Sequence, residues 1–369
     1  MIMWMLIFAG MFLLMLIGVI YIISRLCKTE FIKGIANGNK QIERLIAAAA
    51  VIILLLIGYR LLDMINIAIV AVHTLFVWIL LDLVRRFILK GTHKSISQNA
   101  AVLINIVLLI LYFIWGWYGA HHIVATNYNL QTEKTDEKLR IVQISDSHIG
   151  ATFDGNGFAE AVKTIQKENP DVVVITGDFV DDGTSKEDMV IACEALGTLE
   201  TKYGVYFVFG NHDKGYSNEE RGYDAAELVR NLELHGVKVL EDETVEIGES
   251  YYLIGRQDRS EESMGGTRAS MDELMQDLDP NRYMIVLDHQ PNDFANQERN
   301  KVDLVLSGHT HGGQFFPINR LGELTGQNDM TYGIRKQGET TFEVSSGISD
   351  WAIKFKTGCK AEYVVIDVE

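Results

Sequence analysis

The sequence predicts two unlike parts in series: a four-helix transmembrane unit over residues 1–120, then an α/β domain over 139–369, joined by a polar linker at 121–138. Three observations carry this expectation. Uncharged apolar runs occupy 1–24, 45–59, 64–81 and 101–120. The charge is divided: residues 1–120 hold ten Lys/Arg against four acids, net +6, while the rest hold 23 against 45, net −22, within a total of −16. From Leu139 onward, short β-branched runs alternate with helical stretches, which is the pattern of an α/β domain.

A helix needs roughly 20 apolar residues to cross a bilayer core. Spans are expected at about 2–24, 43–60, 64–83 and 101–120, with Arg44, Arg60 and Asp82 snorkelling from the ends of the shorter two. The first run reads as a retained span: it has no basic n-region, it is long, and further spans follow it. Lys and Arg positions set orientation. Arg25, Lys28, Lys33, Lys40 and Arg44 follow the first span; Arg85, Arg86, Lys90 and Lys94 follow the third; only Arg60 lies between the second and third. Both basic segments are therefore expected on the cytoplasmic side, which makes a multi-pass cell-membrane protein with its α/β domain extracytoplasmic. Trp4, Trp115, Trp117 and Tyr118 would share the outer aromatic belt. Asp82 and His73 are either functional intramembrane groups or residues packed in the bundle. His121 and His122, at the membrane exit, are read as interfacial.

The composition excludes other classes. With 48% hydrophobic residues, 22% charged and four prolines, the chain is not a disordered polymer. The acidic balance counts against a nucleic-acid-binding surface. Three cysteines (Cys27, Cys193, Cys359) without a CxxC pair build neither a disulfide framework nor a thiolate metal site. Cys193 and Cys359 are expected as buried thiols, with a disulfide as the other reading.

In the second part, strands are expected at 139–145, 171–176, 205–210, 251–255, 283–288, 302–307, 341–346 and 362–368. Helices are expected at about 157–168, 185–200, 219–235 and 270–278. The residues that follow the strands carry the chemistry, because α/β folds place ligands at the carboxyl ends of strands. They are Asp146-Ser-His148, Gly177-Asp178-Phe-Val-Asp181, Gly210-Asn211-His212-Asp213, His289-Gln-Pro291 and Gly308-His309-Thr-His311-Gly312-Gly313-Gln314. Each fragment alone is also what a turn or a helix cap looks like. Together they bring Asp, His or Asn to five strand–loop junctions that converge at one sheet edge. Imidazole, carboxylate and amide donors without thiolate suit divalent Mn, Fe, Zn or Co, in number enough for two ions.

The series DxH, GDxxD, GNHD, HxP and GHTHGGQ resembles the calcineurin-like metallophosphoesterases, and SGHTHGGQ resembles their bacterial membrane-anchored branch. The resemblance covers about 139–369. It implies a four-layered α/β/β/α sandwich with a dinuclear centre at the edge of two sheets. By position, one metal would be bound by Asp146, His148, Asp178 and His311, and the second by Asp178 as bridge, Asn211, His289 and His309. His212 would be the catalytic imidazole and Asp181 the carboxylate that orients it. Lys356 stands where this branch would have an Arg.

The chemistry agrees. Phosphoester hydrolysis at neutral pH needs a nucleophile, neutralisation of the phosphoryl oxygens and a proton for the leaving group. Two divalent ions supply the first two, and His212 the third, either as general acid or as an electrostatic clamp on phosphate. Gly308, Gly312 and Gly313 would allow close backbone near the metals, and Gln314 would contact substrate or serve structure. Asp258 is left without a role, and 257–281 reads as a solvated insertion or as the rim of the site. The function expected is a membrane-anchored phosphoesterase acting on a phosphorylated substrate, with lipid-linked envelope phosphates as one substrate class. The competing readings are an ectoenzyme for soluble nucleotides or phosphodiesters and a non-catalytic membrane receptor or accessory protein.

Overall fold

The computed structural model describes residues 2–93, 96–215, 221–316 and 318–369, with side chains from Ala9 onward. Lys94, the side chain of Trp4 and the start of the helix expected at 219–235 lie outside the described residues. The chain divides into two compact units, Met1–Trp115 and Gly116–Glu369.

The first unit contains α1 (Ile2–Leu26), α2 (Glu30–Ile35), α3 (Lys40–Leu62), α4 (Met64–Thr92) and most of α5 (Gln98–His121). Four of these, all but the short α2, are long and apolar enough to cross a membrane by length and composition. Asn39 caps α3 by accepting from the Gln41 and Ile42 amides. Asp63, at φ 99°, ends α3 and caps α4 by accepting from the Asn66 amide, so one residue makes the turn. The third span runs nine residues past its expected end at 83. Arg85, Arg86 and Lys90, expected in a loop, lie on that helix, because RRFILK contains good helix formers and no breaker. It stops at His93, a left-handed C-cap. Asp82 and His73 are packed in the bundle. Asp82 accepts from the Tyr21 hydroxyl at 2.6 Å and pairs with Arg25 at 2.6 Å and Arg85 at 3.4 Å. His73 bonds the Ile69 carbonyl and stacks on Tyr112.

The second unit is built on two six-stranded sheets. The first has the order β1 (Val124–Leu130), β12 (Glu362–Val368), β2 (Leu139–Ile144), β3 (Val172–Thr176), β4 (Val205–Val208), β5 (Val237–Val239). The second has the order β10 (Gly333–Gln337), β11 (Thr340–Val344), β9 (Leu304–Ser307), β8 (Tyr283–Leu287), β7 (Tyr251–Gly255), β6 (Glu243–Ile247). All eight expected strands are present. Four more were not expected, and they are the two edges of each sheet.

One of them corrects the linker expected at 121–138. Residues 124–130 pair in parallel with the last strand, Val124 opposite Glu362 and Leu130 opposite Val368. The charged QTEKTDEK that ends the segment 121–138 reads as a tether, but Thr126, Asn127 and Asn129 before it lie on an edge strand, where polar side chains are normal. The second unit also begins at Gly116, ahead of the boundary expected at 120, because the last turns of α5 belong to it.

Strand alternation builds the layers. Ile141, Val174 and Val208 point inward and pack on Leu253, Ile285 and Leu306 of the opposite sheet. Val142, Val173 and Phe207, one residue out of phase, pack outward on α6 (Gly155–Ile165), α7 (Lys186–Leu196) and α8 (Ala225–Leu234). On the far side Val286, Val305 and Phe342 pack on Met271 and Phe294 of two short helices. The result is an α/β/β/α sandwich. Strands β2, β3 and β4 are mutually parallel, as are β7, β8 and β9. Their carboxyl ends therefore deliver the motif-bearing loops to one edge.

Candidate metal centre

All nine residues singled out by the sequence meet at this edge. The donor atoms of Asp146, His148 and His311 lie within 4.8 Å of one another, as do those of Asp178, His289 and His309. A third, overlapping group is His148, Asp181 and His212. Asp178 stands between the first two, with its Oδ2 3.5 Å from His148 Nε2 and 3.1 Å from His289 Nε2. Asn211 Oδ1 is 3.3 Å from the same His289 nitrogen.

The backbone is held in an unusual state to achieve this. Asp146, His148, Asp178, His309 and His311 all have positive φ, between 36° and 69°. Such conformations cost about 1–3 kcal/mol each in non-glycine residues and cluster at functional sites. They persist here because the loops brace one another. Asp146 accepts from the His309 amide, and Asp178 Oδ1 accepts from the His212 amide. Asp213, at 0% exposure, accepts from the amides of Asp178, Val180 and Gly210. A side chain on Gly308 would run into Ser145 and the Asp146 carboxylate, and one on Gly210 into Asp178. Only glycine lets those strand ends approach so closely.

The donor set fits divalent ions. Among the described residues neither ring nitrogen of fully buried His148 has a hydrogen-bond partner, and the carboxylate oxygens of Asp178 and Asp181 stand 3.5 and 3.7 Å away. Buried polar atoms are nearly always bonded, so a buried imidazole facing two carboxylates without a hydrogen bond to either has the donor chemistry of a cation ligand. His289 has its tautomer set by Nδ1 donating to the Thr176 carbonyl at 2.8 Å, which leaves Nε2 toward the cluster. Burial and the neighbouring His289 push His309 down to about 4; burial and His148 hold His311 well below the usual range. Both shifts favour the neutral imidazole, the form that ligates metal.

His212 differs from His309 and His311. Burial would lower it, but Asp181, 3.0 Å from its Nδ1, raises it above the ordinary histidine value. Asp181 in turn is held low: burial opposes this, and His148 and His212 overcome it. The pair is an oriented imidazole–carboxylate couple beside the metal-type groups.

Several residues of undecided role now have places. Gln314 donates to Asp350 and to the Ile353 carbonyl, a structural use. Lys356 is 1% exposed; its ammonium meets the Ser346 and Ser349 carbonyls at 2.6 and 2.9 Å and Asp350 at 3.2 Å, so it is buried support. Asp258 accepts from Gln290, the neighbour of His289. Glu261 pairs with Lys214 at 2.7 Å, which ties the start of the acidic stretch to the loop after β4 at the rim. Cys193 and Cys359 are free thiols. Two residues near the site were missed. Asp350 Oδ1 stands 4.0 Å from His311 Nδ1, and the Trp351 ring lies 5.5 Å from that of His212. Both come from the loop that follows β11, where Asp350 is a lone acid with no histidine or asparagine beside it to form a motif.

Comparison with known proteins supports the same reading. Residues 139–313 match the family model described as calcineurin-like phosphoesterase. An uncharacterized metallophosphoesterase of Campylobacter jejuni is 29% identical over 232 residues, 63% of this chain and 59% of that protein. The uncharacterized metallophosphoesterase YkoQ of Bacillus subtilis is 30% identical over 235 residues, 61% of this chain and 82% of the relative. A transmembrane protein with metallophosphoesterase domain from Bos taurus is 34% identical over 233 residues, 61% of this chain and 51% of that one. The chain thus spans little more than half of the Campylobacter and cattle proteins. On the motif series, the two-sheet sandwich and these matches, the chain belongs to the calcineurin-like phosphoesterase family.

Proposed function

We propose that the chain is a membrane-anchored, dinuclear-metal phosphoesterase whose α/β domain works on the outer side of the membrane. The observation that supports it most is the pair of buried carboxylates, Asp146 and Asp178, set among imidazoles with no Lys or Arg ion pair to either among the described residues. In this reading Asp146, His148, Asp178 and His311 hold one ion. Asp178, Asn211, His289 and His309 hold the other, with Asp178 shared. Mn, Fe, Zn and Co all suit such oxygen and imidazole donors. Bound there, the ions supply a nucleophilic water at neutral pH and neutralise the phosphoryl oxygens.

The chain's own residues do the rest. His212 Nδ1–H donates to Asp181, which fixes the ring and leaves Nε2 free to carry the proton for the departing oxygen. Asp181 raises the proton affinity of His212, which favours its holding that proton. Asp213 holds the backbone of Asp178 and Val180 so that the carboxylate and the imidazole keep their spacing.

Orientation rests on charge. Arg25, Lys28, Lys33, Lys40 and Arg44 lie around the α1–α3 connection and Arg85, Arg86 and Lys90 at the end of α4, against Arg60 alone near the α3–α4 turn. The positive-inside bias puts the first two sets in the cytoplasm. Four spans exceed what anchoring needs, which favours a lipid-linked phosphate or pyrophosphate as substrate.

The test is the full chain in nanodiscs, loaded with Mn and offered mono-, di- and pyrophosphate esters in soluble and lipid-linked form, with its metal content measured. Two ions per chain and turnover of the lipid-linked esters are expected. One ion or none, with no turnover, overturns the dinuclear reading. Full turnover of nucleotides with lipids ignored overturns the lipid substrate.

A further inference from the structure

The SGHTHGGQ turn runs straight into an apolar stretch that the domain does not bury. Phe316, Ile318, Leu321 and Leu324 are 64%, 55%, 55% and 82% exposed, although they follow His311 by only five to thirteen residues. Isolated surface leucines are ordinary; four large apolar side chains within nine residues are not. Arg320 and Lys360, both exposed, lie on this stretch and on its neighbour in space.

That neighbour is the loop 355–361. The amides of Thr357 and Gly358 both bond the Gln314 carbonyl, and the Phe316 amide bonds the Thr357 hydroxyl. The same loop bonds the end of α5: the Lys356 amide to the Gly116 carbonyl at 2.9 Å, and the Ala361 amide to the Gly119 carbonyl at 2.7 Å. The Trp117 ring packs edge-on against Phe355. Trp117 and Tyr118 are themselves exposed. Within the second unit, one loop's thickness therefore separates the exposed apolar stretch from the last two turns of a helix long and apolar enough to cross a membrane.

Apolar side chains beside cationic ones, next to a helix ending in Trp and Tyr, have the chemistry of a headgroup–acyl boundary. We propose that Phe316, Ile318, Leu321 and Leu324 form a lipid-docking surface that inserts into the leaflet from which α5 emerges, with Arg320 and Lys360 reaching the headgroups. This rests on reading α5 as a span. Docking would hold the His311 side of the metal centre against the bilayer, so that a phosphoester is taken from the lipid surface without leaving it.

The test uses the full chain in nanodiscs of zwitterionic and anionic phospholipid. Cys27 and Cys359 are replaced by Ser, and a single environment-sensitive fluorophore is placed by L324C or, as control, by E194C on α7. Quenching by shallow doxyl-labelled lipid and a blue shift are expected at 324 and not at 194; equal behaviour at the two positions overturns the proposal. A Phe316→Asp/Leu324→Asp variant adds a functional arm. Losing two apolar groups that docking would place in the bilayer predicts a rise in KM of about tenfold or more for a bilayer-presented phosphoester, with a soluble diester turned over as before. Equal losses on both substrates overturn it. The quenching arm needs no catalysis, so failure of the phosphoesterase reading and failure of docking give different results.

Discussion

Buried carboxylates are handled in opposite ways in the two units. In the helical unit Asp82 is met by Arg25, Arg85 and the Tyr21 hydroxyl, so its charge is balanced by the chain itself. In the α/β unit Asp146 and Asp178 are more deeply buried, and among the described residues no Lys or Arg pairs with either; their neighbours are imidazoles and backbone amides. The same domain does balance charges elsewhere. Asp288, next in sequence to His289, is gripped by Arg256 at 2.9 Å and Arg268 at 2.5 Å. A buried carboxylate without a Lys or Arg beside it is costly to keep charged, so the difference separates a carboxylate balanced by the chain's own cations from a pair whose surroundings have the donor chemistry for a divalent ion.

The sharpest way to break this comparison is Asp178→Asn. The substitution keeps shape and removes the charge shared by both metal groups. The rate should fall by more than the ~10⁴-fold upper worth of one general acid, and the bound metal should drop, while the melting temperature changes little. A variant within about tenfold of the native rate would refute Asp178 as a ligand. Next comes His212→Asn. Here the metal content should stay at the native level while the rate falls roughly 10²–10⁴-fold. The loss should shrink for esters with good leaving groups, which need no proton. A loss of the same size across leaving groups would instead make His212 a clamp on phosphate.

What was legible follows the same physics. The eight central strands announced themselves as apolar runs because both faces are buried. The four edge strands did not. VATNYNL and GIRKQ carry polar side chains, VKV has three residues and ETVEI reads as a turn flank, because an edge is paired on one side only. The nine site residues were visible because each follows a strand end, and a sheet edge gathers those ends. Asp350 and Trp351 also follow a strand end, that of β11, but as a lone acid and an aromatic without a histidine they form no metal-type motif, and the Thr176 carbonyl that sets His289 is backbone, which a motif does not display. Charge ends the apolar run of α4 near residue 83, but helix propensity continues through RRFILK, so the helix outlasts the run.

In the helical unit, Asp82→Asn should act on stability alone. It leaves Arg25 and Arg85 without their anion in a partly exposed site. The expected cost is about 2–3 kcal/mol, below the ~3–5 of a fully buried pair. A lower melting temperature of the full chain in detergent, with turnover of a soluble ester within about twofold of native, would agree; any larger loss of turnover would mean that Asp82 serves catalysis.

Asp350 is the intermediate case and the smallest expected effect. It is a buried carboxylate with a cation, Lys356 at 3.2 Å, and also with a metal-type histidine, His311 Nδ1 at 4.0 Å. If it serves only Lys356, it belongs with Asp82; if it supports His311, it belongs with the centre. Asp350→Asn should lower the melting temperature, because Lys356 keeps its buried charge without an anion, and should weaken Mn binding by roughly tenfold, the lower end of the worth of a carboxylate behind a metal ligand. Adding Lys356→Met removes the stranded charge. Stability should then return while Mn affinity, followed by titration, stays reduced. Recovery of both would make Asp350 a partner of Lys356 and nothing more; recovery of stability alone places it behind His311, where a buried carboxylate is kept for the ion rather than for the fold.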